Sequence, residues 1–370
     1  MKHAMSILVV ASLMSSTAFA ADIKIGATAP LTGPQAIFGT TLFNGTDLYF
    51  EELNAAGGIN GNTLVLSRQD DKADPKEGTL VAQKFCDDES IVAVIGHLNS
   101  GVQLAAQSIY SDCELPEAVL GSNPDITRQG AANIVRPTAS DFAQGELSAQ
   151  YALEKLGAKN AAIVNDKQAF GQGVSEIFAD DFKKRGGEIH STSSVNPTDV
   201  DFTAVITQLK SAKPDVVYMG AVMPQLALFA KQMREQGLNA KLLVPDGAFT
   251  PDFVAQAGKE AASNVVLTFP IPPADATPEL VSFGERYKKR FGEEVGPYSI
   301  YGYVSGQIVA EAIKKAAEPT RADILPALKA VELDTMLGHV KFTDVGERTV
   351  APMYLYEIQD GEFKMVGQAS

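Results

Sequence analysis

The chain has 370 residues, of which 45% are hydrophobic and 21% are charged. These values are ordinary for a globular protein and exclude a disordered or fibrous chain, and the length predicts two domains. The formal net charge of −14 argues against a nucleic-acid-binding protein, because phosphates are bound by basic surfaces. Two cysteines are too few for a disulfide-rich scaffold or a four-cysteine zinc site.

The first twenty residues have the pattern of a secretory signal peptide. Lys2 gives a positive start, Ile7–Met14 is an apolar run, and Ala18-Phe19-Ala20 is a small-x-small cleavage site. The apolar run is too short for a membrane-spanning helix, which needs about 20 residues. We therefore expect residues 1–20 to be removed and the mature protein to be exported.

Export would place Cys86 and Cys113 in an oxidising compartment, where disulfides form. Each cysteine lies at the end of a predicted helix, Lys76–Phe85 or Val102–Ser111, and each helix leads into a short strand. Because two successive helix–strand units lie side by side, the two helix ends can meet in a disulfide. Two buried free thiols are the alternative. No histidine lies in the local sequence of either cysteine, which disfavours a catalytic thiol.

Short apolar runs alternate with amphipathic stretches along most of the chain. The predicted strands are Ile23–Ala29, Thr63–Gln69, Ile91–Ile95, Glu117–Gly121, Ala161–Asn165, Glu188–Val195, Val216–Met219, Leu242–Val244 and Val265–Phe269. Further predicted helices are Leu42–Ala55, Val174–Arg185, Ala204–Ala212, Gln225–Gln236, Glu279–Phe291 and Ile300–Ala316, and two extended segments follow at Gly338–Thr343 and Met353–Ile358. This alternation predicts an α/β fold of two similar lobes, each a parallel sheet covered by helices, with the change-over near Val135–Gln144.

The sequence contains no intact catalytic or metal-binding motif. The four histidines are too far apart for a helical metal pair: His3, His97, His190 and His339. A Gly-x-Ser-x-Gly elbow and a phosphate-binding loop are both missing. Gly171-Gln172-Gly173 begins like a dinucleotide-binding motif, but Glu176 replaces its third glycine. We expect no enzymatic activity, no cofactor and no metal.

Two loops that follow predicted strands carry donors suited to a small zwitterion. Gly96-His97-Leu98-Asn99-Ser100-Gly101 precedes a helix, whose free N–H groups and the Ser100 hydroxyl suit a carboxylate. Capping of that helix is an equally good interpretation of Ser100. Gly121-Ser122-Asn123-Pro124 follows the next strand. Asp246 is suited to an ammonium group, although an aspartate before glycine is also typical of a turn.

Six groups of residues, in this order and spacing, carry a resemblance to a known family. They are Pro30-Leu31-Thr32-Gly33-Pro34 with Phe38-Gly39, Leu53-Asn54-Ala55-Ala56-Gly57-Gly58-Ile59-Asn60-Gly61, Asp70-Asp71 with Asp74-Pro75, the segment 96–101, Asp166-Lys167-Gln168-Ala169-Phe170-Gly171-Gln172-Gly173, and Asp201-Phe202-Thr203. Over nearly all of the mature chain, the sequence resembles the periplasmic leucine/isoleucine/valine-binding proteins. These are the solute receptors of branched-chain-type amino-acid ABC importers.

The resemblance implies a type I periplasmic-binding-protein fold, in which three crossover strands join the two lobes. Lobe 1 would comprise residues 21–140 and 272–349, and lobe 2 would comprise residues 141–271 and 350–370. The resemblance further implies a monomeric receptor in the periplasm, without cofactor or nucleic-acid partner. It would bind a small neutral amino acid and deliver it to an inner-membrane ABC permease when the lobes close.

The resemblance also implies a set of ligand-binding residues. Ser100 and the amides around Ser122 would hold the ligand carboxylate. The Leu120 carbonyl, the Ser122 hydroxyl and Asp246 would hold the ammonium group. The side-chain pocket would be shaped by Phe38, Leu98, Asn99, Phe170, Val222 and Tyr298.

Departures from the family pattern leave the identity of the ligand open. Asp246 stands where branched-chain receptors usually have glutamate, and some relatives with aspartate here resemble receptors for proline or 4-aminobutyrate. Phe170 and Val222 stand where tyrosine is usual, and Leu120-Gly121-Ser122 replaces small-Ala-Thr. Two other functions stay open: an exported hydrolase of amino-acid or amide derivatives, and a chemosensory receptor for the same ligand. The hydrolase would need a nucleophile–base pair or a metal in the cleft.

Overall fold

The computed structural model describes residues 22–369, so the predicted signal peptide lies outside the described residues. In chain order the strands are β1 (Asp22–Ala29), β2 (Thr63–Asp70), β3 (Ile91–Ile95), β4 (Glu117–Ala118), β5 (Ile134–Val135), β6 (Asn160–Asn165), β7 (Glu188–Ser194), β8 (Val216–Gly220), β9 (Lys241–Val244), β10 (Val265–Phe269), β11 (Glu332–Thr335), β12 (Gly338–Lys341), β13 (Tyr354–Gln359) and β14 (Glu362–Gln368). The helices are α1 (Ala36–Ala55), α2 (Pro75–Asp87), α3 (Ser100–Asp112), α4 (Asp125–Arg128), α5 (Asp141–Glu154), α6 (Ala169–Lys184), α7 (Thr203–Ala212), α8 (Gln225–Glu235), α9 (Pro251–Ala257), α10 (Lys259–Ala262), α11 (Pro278–Phe291), α12 (Ser299–Lys315) and α13 (Arg321–Lys329), with a 3-10 turn at Asp246–Ala248.

The first sheet consists of five parallel strands in the order β2-β1-β3-β4-β5. All five residues of β3 are buried. A continuous apolar strand of this kind is expected where helices cover both faces of a parallel sheet. The predicted strand Glu117–Gly121 is shorter in the structure and ends at Ala118, because the Leu120 and Gly121 amides both donate to the His97 carbonyl.

The second sheet has seven strands in the order β14-β13-β10-β9-β8-β6-β7. The five strands β6 to β10 are parallel, which confirms the predicted α/β class. The edge differs from a purely parallel sheet, because β13 pairs antiparallel with β10 and β14 pairs antiparallel with β13. A two-residue turn joins β13 to β14, with positive φ at Asp360 and Gly361, and such a hairpin makes antiparallel pairing unavoidable.

The chain passes between the two sheets three times. The passages lie between β5 and α5, between β10 and α11, and between β12 and β13. After the second passage, α12 packs against α1 and α13 packs against strands of the first sheet. The short β11–β12 hairpin forms a separate two-stranded sheet.

Helices α1 and α12 approach each other closely at two glycines. A Cβ atom on Gly302 would lie 1.8 Å from the Leu42 carbonyl oxygen, and one on Gly45 would lie 1.8 Å from the Ser299 carbonyl oxygen. Only glycine permits this backbone contact.

The two cysteines form the predicted disulfide. Cys86 lies in the last turn of α2 and Cys113 directly follows α3, with their Cα atoms 5.8 Å apart. The bond closes a loop across 27 positions of the sequence, which is worth about 3.5 kcal/mol in the chain-entropy model. Within residues 22–369, no helix is both long and apolar enough to span a bilayer.

Candidate functional site

All ten residues predicted to bind the ligand line one cavity between the two sheets. Gln35 and Gly247 complete the lining: Gln35, Phe38, Leu98, Asn99, Ser100, Leu120, Ser122, Phe170, Val222, Asp246, Gly247 and Tyr298. Several of these residues directly follow parallel strands, at the edge of the sheet where α/β proteins bind ligands. The space open to the centre of a water molecule is about 40 Å³. Since roughly 10–15 Å³ holds one buried water, the cavity suits a small molecule.

One hydrogen-bonded unit contains both loops predicted to bind the carboxylate. The His97 carbonyl accepts from the Leu120 and Gly121 amides, each at 3.1 Å. The Ser100 hydroxyl accepts from the Asn123 amide at 3.2 Å and makes no capping bond to α3, whose N-cap residue is Asn99. A serine hydroxyl that accepts a bond still has its own proton to donate, so Ser100 remains suited to an anion.

Asp246 lies buried at the start of the 3-10 turn that follows β9. Its Oδ2 accepts from the Tyr298 hydroxyl at 3.0 Å, and its Oδ1 accepts from Gln144 Nε2 at 3.4 Å. Gln144 Oε1 in turn accepts from the Asp246 amide at 3.0 Å. Burial raises the pKa of Asp246 to about 6. A ligand ammonium group would favour the ionised form of this carboxyl.

A second buried carboxyl, Asp141, lies behind the first. Gln144 Nε2 donates to Asp141 Oδ1 at 3.0 Å, so a single glutamine contacts both acids. Burial, with a smaller effect from the Asp246 charge, raises the pKa of Asp141 to about 7. The sequence analysis missed Asp141 and Gln144. The available signal was Ser140-Asp141, a helix N-cap residue followed by an acid in the first turn.

Aromatic rings form part of the cavity wall. Phe38, at the start of α1, and Tyr298, directly before α12, meet edge to face with ring centroids 5.5 Å apart. The close contact between α1 and α12 therefore positions two walls of the site. Phe170 and Val222 line the cavity from the side of the second sheet.

Gln35 is a lining residue that the sequence analysis did not select. Its Oε1 accepts from Asn99 Nδ2 at 2.7 Å. The only signal was its position between Pro34 and α1, three residues before Phe38.

The two sides of the cleft are in direct contact. Asn123 Nδ2 donates to the Ala169 carbonyl at 2.8 Å, which joins the Ser122 loop to the start of α6. The Tyr298–Asp246 bond makes a second connection across the cavity. The described arrangement is therefore closed around the site.

Arg136, in the first passage between the sheets, is fully buried and donates hydrogen bonds to several groups. Its Nη1 donates to the Asn123 carbonyl at 2.7 Å and to the Gly121 carbonyl at 3.3 Å. Its Nε donates to Glu347 Oε2 at 3.0 Å, and its amide donates to the Gly346 carbonyl at 2.7 Å. The first and third passages are thereby joined to the loop that contains Ser122.

His97, which precedes the cavity residue Leu98, belongs to a buried hydrogen-bonded network. His97 is fully buried, with Nδ1 2.7 Å from Asp71 Oδ2 and Nε2 3.2 Å from the Tyr110 hydroxyl. Nδ1 also lies 3.4 Å from the Thr28 hydroxyl, and no serine or cysteine side chain of residues 22–369 is hydrogen-bonded to either ring nitrogen. Among residues 22–369, no group of three or more His, Cys, Asp and Glu side chains is placed to hold a metal ion.

Two α/β lobes around a small cavity with a few polar groups in a mostly apolar wall are the architecture of two-lobed solute-binding proteins. The model of the periplasmic binding protein family matches residues 22–362, and the chain belongs to that family. This membership confirms the resemblance seen in the sequence. Leu/Ile/Val-binding protein homolog 1 of Brucella abortus (strain 2308) is 33% identical over 360 residues, with 94% of each chain covered.

Solved structures show the same fold. The leucine binding protein LivK of Thermotoga maritima is 26% identical with a TM-score of 0.87, covering 94% of this chain and 98% of that chain. The branched-chain amino acid transporter substrate binding protein LivJ of Streptococcus pneumoniae, solved in complex with isoleucine, is 25% identical with a TM-score of 0.85. That match covers 94% of this chain and 99% of LivJ.

Proposed function

We propose that this protein is the periplasmic receptor of an ABC importer for small neutral amino acids, branched-chain or otherwise. The observation that carries the proposal is the convergence of two complementary parts on one small cavity. The Ser100–Ser122 unit offers donors to a carboxylate, and buried Asp246 offers a counter-charge to an ammonium group. The relatives named for leucine, isoleucine and valine binding support the same ligand class.

Delivery would depend on lobe movement. In this proposal, residues 21–140 with 272–349 and residues 141–271 with 350–370 are two lobes that close on the ligand and present a surface to the permease. The separate sheets and the three passages between them support this division. A ligand that binds the closed state more tightly would drive closure.

Calorimetry on the mature protein tests the proposal. The protein, starting at Ala21, is unfolded and refolded to remove any bound ligand, and is then titrated with the common amino acids, proline and 4-aminobutyrate. We expect at least one of them to bind and to be recovered unchanged. Chemical conversion of the bound compound would contradict a receptor, and so would the failure of every compound to bind.

The Asp246→Asn variant tests the ammonium site. This change keeps the shape of the side chain and removes its charge, so we expect at least about a hundredfold loss of affinity. Asp275→Asn, at an exposed position, is the matched control and should bind as the wild type does. Wild-type affinity in Asp246→Asn would place the ammonium group elsewhere.

The transport step requires a cellular measurement. A strain of the source organism without this gene should lose uptake of the labelled ligand. The wild-type gene should restore uptake, and the Asp246→Asn gene should not. Unchanged uptake in the deletion strain, combined with loss of a response to the same ligand as an attractant, would favour the chemosensory alternative.

A further inference from the structure

Two amide side chains interrupt the otherwise apolar wall of the side-chain pocket. Gln35 and Asn99 line the cavity together with Phe38, Leu98, Phe170 and Val222. The same two amides also line the larger cleft that adjoins the cavity. They therefore lie where the enclosed space meets the outer cleft.

The hydrogen bonding of Asn99 is incomplete. Its Nδ2 donates to Gln35 Oε1 at 2.7 Å, whereas its Oδ1 is buried and has no partner within residues 22–369. With Gln35 Oε1 as the acceptor, turning the Asn99 amide over would set two oxygens against each other, so the free end of Asn99 is its oxygen. Burying an unsatisfied acceptor is unfavourable, which points to a donor that is supplied when the site is occupied.

We propose that the receptor selects, among small neutral amino acids, those whose side chain carries a hydrogen-bond donor, and that Asn99 accepts a hydrogen bond from this donor. The inference rests on the proposed function and narrows its substrate class. A hydroxyl or amide on the ligand would bond to Oδ1 of Asn99. A purely aliphatic side chain would leave that buried oxygen unpaired.

Threonine and valine are the most informative pair of ligands, because a hydroxyl replaces a methyl group at almost the same volume. Calorimetry with the wild-type protein should give at least about tenfold tighter binding of threonine than of valine. Serine against alanine, and asparagine against leucine, should show the same order. Equal or tighter binding of the aliphatic member of each pair would overturn the proposal.

Asn99→Leu tests whether Asn99 is the residue responsible, since leucine has nearly the shape of asparagine without its polar atoms. We expect the threonine-to-valine preference to fall to about one or to invert. Asn239→Leu, at an exposed position, is the control and should keep the wild-type preference. An unchanged preference in a folded Asn99→Leu protein would overturn the assignment, and Asn99→Ala gives the same readout if the leucine variant does not fold.

The outcomes for the two proposals are distinguishable. Tight binding of valine or leucine with no preference for a donor would overturn only the role of Asn99 and leave an amino-acid receptor. Failure of every amino acid to bind would overturn both proposals.

Discussion

Three buried carboxyls near the cleft have raised pKa values: about 6 for Asp246, about 7 for Asp141 and about 6 for Asp166. Desolvation by burial is the main cause for each. A raised pKa means that the folded protein binds these protons more tightly than the unfolded chain does. The stability gained from this tighter proton binding is fully present below pH 4, near the carboxyl pKa of the unfolded chain. It is lost as the pH rises through the folded-state pKa values of about 6 to 7. A cation bound beside Asp246 would offset part of this loss.

Ligand affinity should therefore depend on pH through Asp246. Only the ionised carboxylate attracts an ammonium group, and at pH 5 about a tenth of a group with a pKa of about 6 is ionised. We expect affinity about tenfold weaker at pH 5 than at pH 8, measured by calorimetry. The Asp246→Asn variant should lack this dependence. Equal wild-type affinity at both pH values would contradict an Asp246–ammonium contact.

At the scale of elements, the contact between α1 and α12 determines the shape of the site. The helices meet through Gly45 and Gly302, and their N-terminal ends carry Phe38 and Tyr298 into the cavity. Any change that separates these helices also separates two walls of the pocket.

Gly302→Ala should be destabilising for this reason. The added methyl group would clash with the Leu42 carbonyl. We expect the free energy of unfolding to fall by about 1–3 kcal/mol, and the ligand affinity to fall as well. Gly284→Ala in α11 is the matched control, because its Cβ would lie 3.8 Å from Val295. The control should be neutral, or more stable by up to about 1 kcal/mol through helix propensity. Denaturant unfolding measures both, and equal effects would contradict the packing argument.

The elements also show what sequence can and cannot predict here. The buried parallel strands were predictable, because strands such as β3 and β8 are continuous apolar runs. Helix α5 was not predicted, since its buried face includes Asp141, Gln144 and Ser148 and so lacks a clear hydrophobic period. Strand β14 was missed because five of its seven residues are exposed and its apolar residues do not form a buried run.

The candidate site also contains residues that the sequence predicts and residues that it does not. The residues placed by family motifs all line the cavity: most lie in loops that follow parallel strands, whereas Phe38 and Tyr298 lie at the N-terminal ends of α1 and α12. Gln35 and Gln144 were missed, since their roles come from contacts with Asn99 and Asp246 that are distant in sequence. Such contacts depend on the packing of separate elements, and no local pattern encodes them.

At the scale of the whole molecule, the proposed closure would be supported by direct bonds between the two sides of the cleft. The bond from Asn123 to the Ala169 carbonyl is one of them, and the Asn123 side chain is outside the cavity lining. Its contribution to binding would therefore act through the closed state and not through the ligand.

Asn123→Ala should lower ligand affinity severalfold, because it removes one hydrogen bond that is made in the closed state. The variant keeps the bond from the Asn123 amide to Ser100, and it also loses the bond from the Asp125 amide to Asn123 Oδ1. Calorimetry gives the affinity, and small-angle scattering with and without ligand gives the degree of closure. Gln150→Ala, whose bond to Glu154 lies within α5, is the control. Unchanged affinity in Asn123→Ala would show that this bond does not support closure.

The hydrogen bonds of Arg136 bear on the order in which the two ends of the ligand would be bound. Its guanidinium donates to the carbonyls of Gly121 and Asn123 and to Glu347, and so connects the first and third passages to the Ser122 loop. Under the proposed closure, the carboxylate half of the site keeps its geometry in the open protein. In the same proposal, Asp246 belongs to the opposite side and would reach the ligand only as the cleft closes. Capture would then proceed in two stages, with the carboxylate bound first and the ammonium group second.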